Sequence, residues 1–234
     1  MFGAATTATT LVNNPDAITF MERAGSETFR KVLLGDPQKY DGRALNAINE
    51  AHGALEDGVK KVADLAKDET RNEVLKHEAA QQVANRVAAT VERSQSSLAK
   101  LADTIDGEYV AAVAEGFALR SGRDSIHTEI RAYIKETAKR EDGLSELRRL
   151  IAKDSEFAAV IVNSPPYLMG LADDAHSGLM GEALKHHLPK AGMMLAQSQD
   201  IAALAAKYPA VIGGVRRSFF SKAIADKSRT RVEV

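Results

Sequence analysis

The chain has no cysteine and no tryptophan in 234 residues, and only 5% of them are aromatic. Without cysteine, a disulfide framework, a zinc knuckle, an iron–sulfur cluster and a thiol nucleophile are all excluded. With few aromatics, Ala, Val, Leu and Ile must fill the core, which suits close-packed helices better than sheets. Charge of one sign is also lacking: 31 Lys and Arg stand against 32 Asp and Glu, for a net charge of −1. No global attraction to nucleic acid or anionic lipid follows from that balance. Long apolar runs are missing too. The best, around Phe157–Val162 and Met193–Leu204, are broken by Asn163, Gln197, Gln199 and Asp200 well short of a membrane span. Met1 to Asp16 lacks the basic and apolar regions of a secretory signal.

What is present is 44% hydrophobic residues and 27% charged, enough to build a packed core rather than a disordered chain. Residues 1–40 read as a Thr-rich N-terminal arm followed by short helices. Asn14-Pro15 opens the first, with Asn as N-cap and Pro at the first helical position, and Gly25 closes it. Ser26 starts a second, which Gly35-Asp36-Pro37 stops.

From Asp41 the pattern lengthens. Leu45, Ile48, His52, Leu55, Val59, Val62 and Ala66 are spaced 3-4-3-4-3-4, a heptad seam. After a polar break at Lys67–Asn72, Ala80, Val83, Val87, Val91, Ser94, Leu98, Leu101 and Ile105 form another, with a 4-4 step at Val87–Val91. An unbroken helix would be on the order of 100 Å long, whereas a hairpin lets the two seams cover each other. The expectation for 41–106 is therefore a long antiparallel hairpin, coiled-coil-like, ending at Asp106-Gly107. Ala47, Ala51, Ala54 and Gly58 lie beside the first seam, and Gly53 and Gly58 suggest a close approach of helix backbones. A polar His52 in such a seam would fix register or partner choice and make it pH-dependent, unless it sits at the seam's edge.

Residues 107–225 read as a compact multi-helix bundle. Breaks are expected at Ser121-Gly122 and Asp142-Gly143, Asp154 or Ser155 caps Phe157–Val162, and Pro189 and Pro209 mark helix starts. No stretch alternates with period two, so the fold class is all-α.

Chemical motifs are scarce. His77-Glu78 lacks the second histidine of a helical zinc-protease motif; His176 and Asp173 could share a helix face, but adjacent His186 and His187 point about 100° apart, so at most one of them could join a common site. Gly213-Gly214-Val215-Arg216-Arg217 lacks the frame of a phosphate loop, and no serine elbow is present. The strongest local charge is C-terminal: Arg216, Arg217, Lys222, Lys227, Arg229 and Arg231 against Asp226 and Glu233, with Phe219-Phe220 among them and 226–234 as a basic tail. Such a segment can contact phosphate or an acidic partner.

One segment carries a family likeness. In residues 154–188, Phe157-Ala158-Ala159-Val160-Ile161 leads into Ser164-Pro165-Pro166-Tyr167-Leu168-Met169-Gly170-Leu171 and a His-containing helix. This pattern resembles small helical, virion-associated proteins of tailed bacteriophages. The resemblance implies a non-enzymatic structural or assembly role in a head, connector or tail, with synthesis in the bacterial host's cytoplasm and a place in the virion. A homo-oligomer that also engages other structural proteins is expected, with no catalytic, metal or cofactor site. A nucleic-acid-associated protein using the basic C-terminus is the alternative, and an enzyme or regulator whose site the sequence hides is the third reading.

Overall fold

The computed structural model describes residues 10–227. Among these there is no strand; the chain is all-α, as the missing period-two pattern requires. The helices are α1 (Pro15–Gly25), α2 (Glu27–Leu34), α3 (Gly42–Lys67), α4 (Glu73–Gly116), α5 (Asp124–Thr137), α6 (Gly143–Lys153), α7 (Ser155–Asn163), α8 (Asp173–His187), α9 (Pro189–Ala205), α10 (Tyr208–Ser218) and α11 (Lys222–Ala225), with 3-10 turns at Pro37–Lys39 and Pro166–Met169. They form two compact units. Residues up to Ala102 together with those from Asp200 on make the first, and Asp103–Gln199 makes the second.

In the first unit, the start of α1 follows its sequence signal: Asn14 Oδ1 accepts from the Ala17 amide at 2.8 Å, with Pro15 at the first helical position. The amide of Ser26 closes α1 on the Glu22 and Arg23 carbonyls, but its hydroxyl does not cap α2. Gly35 ends α2 with φ 92°, where a side chain would be strained and its Cβ would meet Leu204 at 2.8 Å.

α3 and α4 form the expected antiparallel pair, followed by a multi-helix C-terminal region. The Lys76 ammonium donates to the Ala66 carbonyl at 3.3 Å, while a Cβ on Gly58 would lie 2.5 Å from Val87 Cγ2. Residue 66 thus faces 76 and 58 faces 87, so the two helices run in opposite directions. Gly58 is the close approach foreseen; Gly53 is not, being exposed with nothing within 4 Å of a would-be Cβ. Alanine in a helix interior is about 1 kcal/mol better than glycine, yet Gly58→Ala should cost about 1–2 kcal/mol, because Val87 and Phe219 must shift. A lower urea midpoint confirms packing; a higher one would mean that propensity wins.

Three boundaries differ from expectation. The second long helix does not end at Asp106-Gly107 but continues to Gly116. Gly107 is exposed and unconfined, so it costs the helix only its propensity. The chain from Asp200 does not join the C-terminal bundle. It returns to the first unit, where α10 packs on α1 and α2 and buries Tyr208, Val211 and Val215. Tyr208 donates its hydroxyl to the Leu34 carbonyl at 3.0 Å, and Phe219 lies over Gly58. The helix expected over Pro209–Ala225 is broken between Ser218 and Lys222.

The second unit is organised around α7, which buries Phe157, Ala158, Ala159, Val160 and Ile161 in succession. A helix apolar on every side belongs in a centre, and α5, α6 and α8 surround it. Asp154, rather than Ser155, is its cap, its carboxylate accepting from the Glu156 and Phe157 amides at 2.8 and 3.2 Å. The remaining core comes from Ile134, Leu147, Ile151, Met169, Leu179 and Leu184.

Candidate functional site

The hairpin seam is buried at most of the expected positions and shifts to smaller neighbours at the others. On α3 the buried row is Ala44, Ala47, Ile48, Ala51, Leu55, Gly58 and Val62. Ile48, Leu55 and Val62 hold their expected places, whereas Leu45, His52 and Val59 are half-buried. The flank they occupy faces α1 and α2: Val59 Cγ1 is 3.7 Å from where a Gly25 Cβ would stand, and His52 reaches Gly35. On α4 the buried row is His77, Ala80, Val83, Val87, Val91, Ser94, Leu98, Ala102 and Ile105. Val83 is buried as expected with Ala84 and Ala88 beside the row, Ala102 rather than Leu101 takes the inner place, and a 4-4 step falls at Ser94–Leu98–Ala102. Small residues occupy alternate core positions because the helix axes are close, and bulkier neighbours are displaced to the rims. These seams are filled within one chain.

His52 does not set the register between the two long helices. Its Nε2 donates to the Gly35 carbonyl at 2.9 Å, capping the end of α2. Burial holds its pKa below the ordinary histidine value, against the opposing pull of that hydrogen bond. His176 and His187 are likewise donors, to the Ile161 carbonyl at 2.9 Å and the Ile151 carbonyl at 2.5 Å. His187 also meets the Phe117 ring edge-on. His186 lies 3.4 Å from Glu182 on its own helix. Among the described residues no group of three or more His, Asp and Glu is placed to hold a metal ion.

The basic C-terminal segment is divided by burial. Arg216, Arg217, Lys222 and Lys227 are exposed, whereas Phe219 is wholly buried and Phe220 half-buried. Arg229 and Arg231 lie outside the described residues. Phe219 is therefore a packing residue, with no face for a base to stack on. Of the two glycines before the arginines, Gly214 has a packing role: a Cβ there would lie 2.2 Å from the Phe20 ring, so α10 lies directly on α1. Arg217 joins Arg23, Phe20 and Asn14 along an open cleft of about 550 Å³ between those helices.

One polar cluster in the second unit had no local sequence signal. Glu156, the second residue of α7, takes Arg123 at 2.6 Å and His127 Nε2 at 3.2 Å on the same carboxylate oxygen. His127 is buried, and Glu156 also lines a small cleft of about 110 Å³ with Arg120 and Ser155. The three groups come from α7, from α5 and from the residue just before α5. Their pairing satisfies a buried imidazole and ties the two helices together.

Outward apolar side chains are spread over both units, among them Val110 on α4 and Met193 on α9. On α2, Phe29 and Val32 are exposed, and the Arg23 guanidinium stands 5.9 Å from the Phe29 ring centre. In the second unit, the Pro166–Met169 turn presents Tyr167 at 74% and Leu168 at 48% exposure, while Met169 is fully buried beneath them. Gly170, at φ 64°, closes this turn. No known protein family, curated protein or solved structure matches the chain. No described helix is long and apolar enough to cross a membrane.

Proposed function

We propose that the chain is a non-enzymatic structural or assembly protein of a bacteriophage particle, which oligomerises and engages neighbouring particle proteins through exposed side chains of its helices. The observation that carries this reading is the division of labour within residues 154–188. Phe157 to Ile161 are consumed as core, whereas Tyr167 and Leu168 stand outward on a turn anchored by Met169. Tyrosine and leucine held in this way are an ordered apolar contact, and tyrosine is enriched where proteins meet. The long seams are filled inside the chain and do not carry this reading. Because Ile48, Leu55, Val91 and Leu98 are buried within the chain, the joints between subunits fall on other residues, with the exposed Phe29, Val32, Val110, Tyr167, Leu168 and Met193 as candidates.

Mass spectrometry of purified particles and light scattering of the full chain test the proposal. The expected results are the protein in the particle and a multimer in solution. Tyr167→Ser with Leu168→Ser should weaken assembly at least about tenfold, the effect of losing 1.4 kcal/mol, without changing helicity. A monomer absent from particles would sink the reading. A second function is favoured by the exposure of Arg216, Arg217 and Lys222: duplex DNA binding with a steep salt slope, lost when these three are replaced, would move the assignment to nucleic-acid association through phosphate contacts alone.

A further inference from the structure

His77 is the one histidine of the six whose ring works as a hydrogen-bond acceptor. Its side chain is buried on α4, and its Nδ1 accepts the backbone N–H of Ser221 at 3.0 Å, across 144 residues of sequence. An amide can only donate, so Nδ1 carries a lone pair and the ring proton sits on Nε2. That nitrogen faces Glu73 Oε2 at 3.6 Å. The other histidines are arranged in the opposite sense. His52, His176 and His187 donate Nε2–H to carbonyls, and His127 and His186 face carboxylates. A second proton leaves each of those contacts in place. At His77 it puts N–H against N–H.

We propose that the His77–Ser221 bond is an acid-sensitive latch: protonation of His77 at Nδ1 releases the Ser221 amide and loosens α11 from the hairpin. The break comes at a defined place. Phe219 remains seated on Gly58, and its amide is held by the Val215 carbonyl at 3.0 Å, neither of which involves a histidine. Ser221 is the N-cap residue of α11, its carbonyl accepting from the Ile224 and Ala225 amides, so losing its own tie frees the start of that helix.

The charges around the ring set the direction. From its own helix, Glu73 favours the protonated ring, and from the segment packed on it comes the Ser221 amide, with Lys222 next in the chain. Burial outweighs Glu73 and holds the His77 pKa below its ordinary value. The closed latch is therefore at full strength above the ordinary histidine pKa of about 6.5 and weakens as pH falls below it, because the open form takes up the proton first. One titrating group can change the open fraction by at most about tenfold per pH unit.

Amide hydrogen exchange on the full chain, corrected for the intrinsic rate, tests this between pH 7.5 and 5.5. The expected result is a loss of protection at Ser221 of about fivefold or more, with Phe219 changed less than about twofold. In His77→Asn the carboxamide oxygen replaces Nδ1 as a non-titrating acceptor, and Ser221 should keep its protection at both pH values. Nitrogen-15 shifts of the wild-type ring give a readout independent of any variant and should report the Nε2–H tautomer. An Nδ1–H tautomer at pH 7.5, or parallel loss at Ser221 and Phe219 in both proteins, overturns the latch.

Discussion

Replacing Gly143 with alanine is expected to lower stability by about 2–3 kcal/mol, at the upper end of what over-packing costs. A Cβ there would lie 1.9 Å from the Thr137 carbonyl oxygen and 2.8 Å from its carbon, with the Ala138 Cα beyond. All three are backbone atoms, and the Thr137 carbonyl is already engaged by the Arg140 amide at 3.0 Å. No rotamer change relieves the clash; the end of α5 and the start of α6 must separate. α6 holds Leu147 and Ile151 in the core of the second unit, so separation is felt there at once. Calorimetry should show a fall of about 5–10 °C in the transition containing that unit. An unchanged transition would mean that α5 and α6 do not join this closely.

The second large effect is expected at Arg30, which is 5% exposed. Its guanidinium donates to the Ala24 carbonyl at 3.0 Å and the Gly25 carbonyl at 2.9 Å, the last turn of α1, and pairs with Glu56 at 3.0 Å. Helix ends leave carbonyls without partners, and here a side chain from the next helix supplies the donors. Arg30→Met keeps the apolar stem and removes them, for an expected loss of about 2–4 kcal/mol from two stranded carbonyls. Glu56→Ala should cost under about 0.5 kcal/mol, because its carboxylate is mostly in water. Chemical denaturation of the two variants separates the causes: equal losses would assign the stability to the ion pair instead of the capped helix end.

These two residues mark where sequence reasoning succeeds and where it stops. Asn14-Pro15, the polar break at Lys67–Asn72, Asp142-Gly143 and Asp154 each act within four residues of themselves, and each stands at an element boundary in the structure. Asp106-Gly107 looked like another but is helical, because local preference for a turn is weak against the continuation of a long helix. The heptad spacing locates the hairpin and most of its inner face, and departs from it by one residue at Leu45, Val59 and Leu101. Leu45, Val59 and Leu101 are larger than Ala44, Gly58 and Ala102 yet less buried. Where axes come close, the small residue is the inner one. Two of the polar sites depend on long-range partners and leave no local trace: Glu156 with Arg123 and His127, and His77 with Ser221. The basic segment was legible as charge, but not the fact that Phe219 is spent on Gly58.

The first unit is made from the two ends of the chain, with all of 103–199 between them. That arrangement inverts the order in which the protein can be completed on the ribosome. Domains fold as units while synthesis proceeds, and here the second unit has its whole sequence before α10 and α11 have been made. Until then α1, α2 and α3 lack Tyr208 against Leu34 and Phe219 against Gly58. A nascent chain halted after α9 would therefore present a finished second unit beside an open hairpin, whose uncovered apolar face is what a chaperone binds. Folding of the first unit is a late event, timed by the translation of the last helices.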